Sequence, residues 1–359
     1  MDLVLTPFTQ LLFPPGGHVR QLPVTRNGVA AVPAEALMAT KQPSFGHLLV
    51  RSTAVGAGHQ VSGKMLCGLV PAAAFLDGRI KPHENTLTAR LNRQKELVTA
   101  ERGALGKPIL LTAADLTSAW AAVDQQEMTS DQLVRFSGHN DYTLINLTAR
   151  EEQGLCPISL DGLGTLVIAD GHHRAETHAL LSAEGHAYCD YVPVCIADVR
   201  DLTIGCFRRQ LPAYVGTIDD LLKSLRPYFR IHQLAYPVAP ELQGNWLMSY
   251  QGKYFELSRD KVDARYTTQL GWLTGEVLAN VFGILDPKND DRLVNLEVDT
   301  LPSGLLDIDG DRALSFTGSS VSPQAFFSEV AAGRVFPPKS TRFLPRVPSG
   351  LLVWPGWRG

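Results

Sequence analysis

Short apolar runs alternate with polar and Gly- or Pro-marked breaks along most of this chain. Residues 46–51 (GHLLVR), 107–111 (KPILL), 165–169 (TLVIA) and 188–196 (YCDYVPVCI) are apolar runs of strand length. Residues 139–148 (HNDYTLINLT) alternate in strand fashion and are expected to pair beside 165–169; residues 63–69 fit a strand or a short helix. Helical spacing appears at 82–102, where Leu87, Leu91 and Val98 share a face, and at 115–126 and 174–181. From Val215 the texture changes. Thr217 is placed to cap a helix over 218–228 that Pro227 must end, residues 246–250 and 254–257 flank a hairpin turn, and 270–285 and 326–332 have helical character. Residues 334–357 read as an irregular tail. This mixture predicts an α+β fold, with one domain over 1–212 and a second over 213–359.

Composition narrows the classes. The 359 residues are 45% hydrophobic and 19% charged, which fits a globular protein with a substantial core. A net charge of -3 gives no basic field to gather nucleic acid, and no apolar run is long enough to span a membrane. The five cysteines contain no C-x-x-C pair and are expected to be reduced, buried thiols, as in the cytoplasm. Neither a G-x-x-x-x-G-K-[ST] loop nor a G-x-G-x-x-G turn occurs, so a nucleotide would be held by other means.

The chemistry concentrates at residues 170–174, DGHHR, between the 165–169 strand and the following helix. A Gly turn opening a helix aims free N–H groups and the positive helix end at one spot, which favours phosphate. Gly171 lets the backbone approach closely, and Arg174 can grip phosphate oxygens in pairs. Asp170 suggests Mg²⁺ or a hydroxyl to be polarised. Asp-Gly is also ordinary turn chemistry, but two His and an Arg directly behind a buried strand favour function. Upstream, Glu84 at the start of the 82–102 helix is a candidate general base with His83 beside it, although a Glu there also suits the helix dipole. Lys339, Ser340 and Thr341 offer a cation and two hydroxyls on a Pro-stiffened loop, which by spacing alone reads as a solvated loop. His172 and Glu176 fall four apart near His173, His178 and His186, a spacing that leaves a metallohydrolase open as a lesser alternative.

The pieces IADGHHR, PHENT, VFGILDPKNDD and FPPKSTRFLPR together resemble the domain of unknown function 1015 family, over most of the chain. That resemblance implies a ParB/sulfiredoxin-like mixed core with large insertions and a C-terminal α+β extension whose tail returns to the site. The same fold includes free-serine kinases with an Asp-Gly-His-x-Arg turn and an upstream catalytic Glu. Carried over, it implies phosphate binding by Gly171, His172, His173 and Arg174 and catalysis by Glu84 and Asp170, the latter near Mg²⁺. It raises Lys339, Ser340 and Thr341 to phosphate or nucleotide contacts and leaves His83, Arg208 and Arg209 for substrate. The implied activity is phosphoryl transfer from ATP or ADP to the hydroxyl of a free amino acid such as serine, with nucleotide sensing as the alternative and a homodimer left open. Two stretches depart from the pattern: LPVTRNG replaces a Pro-Tyr-Asp segment, and IGCFRRQL replaces a Pro-Thr-His-Arg piece.

Overall fold

The computed structural model describes residues 2–11, 46–56, 59–86, 88–125, 129–136, 141–148, 157–205, 207–240, 244–259, 265–266, 268–287, 289–297, 313–337, 339–350 and 352–356. The LPVTRNG segment lies outside them. The chain divides into two units, one formed by 1–54, 61–202 and 345–359, the other by 55–60 and 203–344. Both mix strands and helices, so the fold is α+β.

The first unit is built on an eight-stranded sheet. Its strands are β2 (His47–Gly56), β3 (His59–Pro71), β4 (Ile80–Lys81), β5 (Ile109–Ala113), β6 (Thr129–Phe136), β7 (Asp141–Thr148), β9 (Leu166–Asp170) and β10 (Tyr191–Asp198), in the order β4-β9-β5-β10-β3-β2-β7-β6. The short strands β1 (Val4–Leu5) and β8 (Ile158–Ser159) pair separately. Helices α1 (Thr88–Ala100), α2 (Thr117–Gln125) and α3 (His172–Ala183) complete it. Strand β5 is buried at every position, and β9 at all but its last, Asp170, as expected of central strands between covering layers. The core joins Ile109 and Leu111 of β5 to Ile168 of β9, Val194 and Ile196 of β10, and Ala175 and Ala179 of α3.

Three expectations are corrected here. Strand β7 pairs with β2 and β6, not with β9, because the register places β5, β10, β3 and β2 between them. Residues 82–86 are not helical: α1 begins at Thr88, and the preceding residues form an extended connection in which Glu84 makes an isolated bridge. Cys67 and Cys195 are not thiols but a disulfide, since antiparallel pairing of β3 and β10 sets them directly opposite at a Cα separation of 4.1 Å. Pairing across 128 residues leaves no local spacing signature. Cys189 is a buried free thiol, pushed up to about 12 by burial. Cys156 and Cys206 lie outside the described residues.

The second unit contains a six-stranded sheet in the order β13-β15-β14-β17-β12-β16, formed by β12 (Phe207–Leu211), β13 (Arg230–Leu234), β14 (Trp246–Tyr250), β15 (Lys253–Ser258), β16 (Val294–Glu297) and β17 (Leu314–Gly318). Strands β11 (Thr203–Gly205) and β18 (Arg342–Leu344) form a separate two-stranded sheet. The β14–β15 hairpin turns at Gln251-Gly252, both at positive φ, the requirement of a type I′ turn. Thr217 caps α4 (Ile218–Leu225) by accepting from the Asp220 amide. The apolar 270–285 stretch forms α5 (Gln269–Trp272) and α6 (Ala279–Phe282) joined by a π-helical turn at Leu273–Leu278. Ser322 caps α7 (Pro323–Ala331). No described helix is long and apolar enough to cross a membrane.

Candidate functional site

The topology brings three strand ends to one edge of the first sheet. Strands β4 and β9 are parallel neighbours, so residues 82–86 and the Asp170-Gly171 turn leave the sheet side by side. Strand β5 runs antiparallel to β9 with Leu110 opposite Asp170, which sets Lys107, just before β5, beside the same turn. The register slips by one residue between Leu110 and Leu111, and such a bulge re-aims the side chain at the strand's end.

That side chain is Asp170. One oxygen lies 3.1 Å from both Lys107 Nζ and Arg174 Nη2, and the other lies 3.3 Å from Arg346 Nη1. Burial opposes its ionisation, but Arg174, then Arg346 and Lys107, outweigh that and hold the carboxyl far below the usual carboxylate range. The Lys107 ammonium is lowered by the same burial, against the pull of Asp170. Three cations around one carboxylate leave a local excess of positive charge. All four side chains keep 12–22% of their surface exposed, so the excess remains reachable from solvent.

Gly171 is required at the turn. Its φ is +106°, and a Cβ there would lie 2.7 Å from Arg174 Nη2 and 2.9 Å from Ile109 Cδ1. As the residue preceding α3 it supplies no side-chain cap, which leaves the first-turn amides of a twelve-residue helix directed at the cation cluster's end of the sheet.

The histidines take a different part from the expected one. His83 donates through Nδ1 to the Ile168 carbonyl at 2.5 Å, and its backbone N–H donates to His172 Nε2 at 3.4 Å. The rings meet edge to face with centroids 4.5 Å apart. Burial pushes His83 down to about 4 and His172 well below its ordinary value, so both imidazoles are neutral near pH 7. The His172 ring therefore braces the turn rather than adding charge. His173 is half-buried. Glu84, directly after His83, is half-buried at the same edge. Thr86 donates to Glu176 on α3, a second tie between the 82–86 connection and the helix.

The metal expectations do not fit these donors. A divalent cation on Asp170 would sit among Lys107, Arg174 and Arg346 and be repelled by all three. Glu176 is engaged by Thr86, both His178 ring nitrogens face carbonyl oxygens, and His186 bonds Tyr188. Among the described residues no group of three or more His, Cys, Asp or Glu is placed to hold a metal ion.

Lys107 and Arg346 escaped sequence reasoning. Lys107 opens an apolar run and Arg346 ends the FPPKSTRFLPR tail, and neither position carries a local signal of a site. The Tyr142 hydroxyl holds the Arg346 carbonyl at 2.6 Å and fixes the tail there. Lys339, Ser340, Thr341, Arg208 and Arg209 belong to the second unit. Arg208 and Arg209 are buried on β12, and Arg209 donates to the Lys339 carbonyl at 3.0 Å.

Among solved structures the chain is similar to SbnI with a C-terminal truncation from Staphylococcus aureus, at 16% identity and a TM-score of 0.40, covering 79% of this chain and 85% of that one. It is similar to a free serine kinase in complex with AMP, at 15% identity and a TM-score of 0.39, covering 83% and 93%. A conserved hypothetical protein from Pyrococcus furiosus matches at 16% identity and a TM-score of 0.38, over 79% and 93%. No curated protein sequence matches the chain. Residues 30–281 match the family model described as protein of unknown function (DUF1015). With most of its length under that model, the chain belongs to the DUF1015 family.

Proposed function

We propose that the first unit binds a nucleotide through its phosphates and transfers a phosphoryl group to the hydroxyl of a small molecule, of which a free hydroxy amino acid such as serine is the leading candidate. The observation that carries this reading is the gathering of Lys107, Arg174 and Arg346 around Asp170 at the open first turn of α3. A phosphate chain supplies the negative charge this arrangement lacks, and Arg174 and Arg346 can each present paired N–H donors to it.

Phosphoryl transfer asks mainly for positioning and neutralisation of charge on the transferring group. The three cations and the α3 amides serve both needs. Asp170 orders the cations and takes no proton, since its oxygens are already engaged. Glu84 is the base: it accepts the acceptor hydroxyl's proton as that oxygen attacks phosphorus. The bond to the bridging oxygen breaks, and its electron pair leaves with the shortened nucleotide. His83 and His172 hold the connection bearing Glu84 against the turn.

The test is incubation with ATP or ADP and a panel of hydroxy amino acids, with phosphorylated products read by phosphorus NMR. A phosphomonoester from one acceptor, lost in Glu84→Gln while nucleotide binding persists, is expected. Nucleotide binding without product from any acceptor would leave a nucleotide-sensing protein, and no nucleotide binding would remove the reading altogether.

A further inference from the structure

The PHENT and DGHHR pieces of the sequence are joined by a hydrogen bond that the proposed chemistry leaves unexplained. The Thr86 hydroxyl donates to Glu176 Oε2, a partner 90 residues away. A threonine near a helix start ordinarily serves that helix's own first-turn amides, yet this one, just ahead of α1, spends its hydroxyl on α3. Glu176 is half-buried where the second turn of α3 begins, two residues past Arg174.

The packing of the two helices does not depend on this bond. Farther along, Val98 of α1 packs in one apolar cluster with Leu181 of α3, and Lys95 pairs with Glu184. What the Thr86–Glu176 bond fixes is the segment before α1. That segment is extended and has no helical hydrogen bonds to stiffen it. On one side of Glu84 it is anchored by His83, whose ring donates to the Ile168 carbonyl at 2.5 Å. On the other side it is anchored by Thr86. Glu84 thus lies between two ties, one to β9 and one to α3. It precedes Thr86 by two residues, the spacing at which side chains of an extended segment share a side.

We infer that Thr86 and Glu176 are positioning residues that hold the Glu84 carboxylate where it meets the acceptor hydroxyl. This rests on the reading of Glu84 as the base. Neither residue is asked to touch nucleotide or acceptor. Releasing the tie lets the carboxylate drift by about an ångström, which is enough to slow proton removal about tenfold to a hundredfold. The phosphates stay where Lys107, Arg174 and Arg346 hold them, so nucleotide affinity is spared.

The test measures phosphomonoester formation in the full chain, with ADP and the acceptor that the wild type turns over. Thr86→Val keeps the shape and removes the donor. It should lower kcat about tenfold to a hundredfold, with an unchanged KM for ADP and an unchanged thermal transition. Thr86→Ser restores the donor and should stay within about threefold of wild type. Glu176→Leu should match Thr86→Val, and the double variant should be no slower than either, as expected of two halves of one contact. Wild-type turnover in Thr86→Val, failure of Thr86→Ser to restore it, additive losses, or a loss confined to ADP affinity would overturn the inference. Glu84→Gln is run alongside: if it abolishes turnover while Thr86→Val does not, the inference alone fails. If Glu84→Gln turns over like wild type, the assignment of the base fails and takes the inference with it.

Discussion

Arg346 Nη1 lies 3.3 Å from Asp170 Oδ1, so a residue of the C-terminal tail completes a cation cluster that begins at the end of β9. Tyr142 binds the Arg346 backbone carbonyl, while the guanidinium meets Asp170. Arg346→Met should weaken ADP binding about tenfold, the loss of one charge-assisted contact, with little change in unfolding midpoint. Calorimetric titration of both forms at one ionic strength checks this.

Asp170→Asn removes the anion that three cations share. The cations are then left to repel one another in a largely buried setting, and stability should fall by about 1–3 kcal/mol in urea unfolding. Because the folded carboxyl titrates far below its unfolded value, this contribution is present above about pH 4 and drains away as pH falls below it.

Gly171→Ala forces a side chain into a positive-φ position and against Arg174 Nη2. Since Arg174 is the movable partner, the substitution should displace that guanidinium as well as cost about 1–3 kcal/mol in stability. ADP affinity should fall further in Gly171→Ala than in Arg346→Met, as measured in the same titrations.

The buried imidazoles set an acid limit on the fold. His83 titrates at about 4 in the folded chain against 6.5 when free, so the unfolded state takes up the proton first as pH falls. The neutral form's advantage is intact above pH 6.5 and is lost between 6.5 and 4, amounting to roughly 3 kcal/mol for this residue. His47, His172 and His178 are lowered in the same sense by burial. Urea midpoints should therefore drop steeply from pH 7 to pH 4.5, and His83→Gln should flatten that slope.

The Cys67–Cys195 bridge gives a chemical check on the β3–β10 register. Under non-reducing digestion the two cysteines should be recovered in one linked peptide, and reduction should lower stability by about 2–4 kcal/mol. Recovery of both as alkylated thiols would contradict the pairing.

Local signals in the sequence carried the parts that are local. The apolar run ending in Asp170-Gly171 does become a buried strand opening a helix, and Thr217 caps the helix that follows it. Long-range pairing left no such mark. Alternation in β7 is satisfied equally by any neighbour, so its partners β2 and β6 could not be read from it. Lys107 and Arg346 enter the cluster only through antiparallel register and the course of the tail, which neither residue type nor spacing reveals. The paired histidines showed their presence but not their burial, and burial makes His172, expected to contact phosphate, a neutral brace of the turn.

The most direct test of a phosphate seat at the Asp170–Arg174 turn compares ADP with adenosine by calorimetry, on the wild-type chain and on Arg174→Met. ADP should bind, weaken as salt is raised, and lose about tenfold or more in affinity in the variant, while adenosine alone binds far more weakly. Equal affinity for adenosine and ADP, or ADP binding untouched by Arg174→Met, would contradict it.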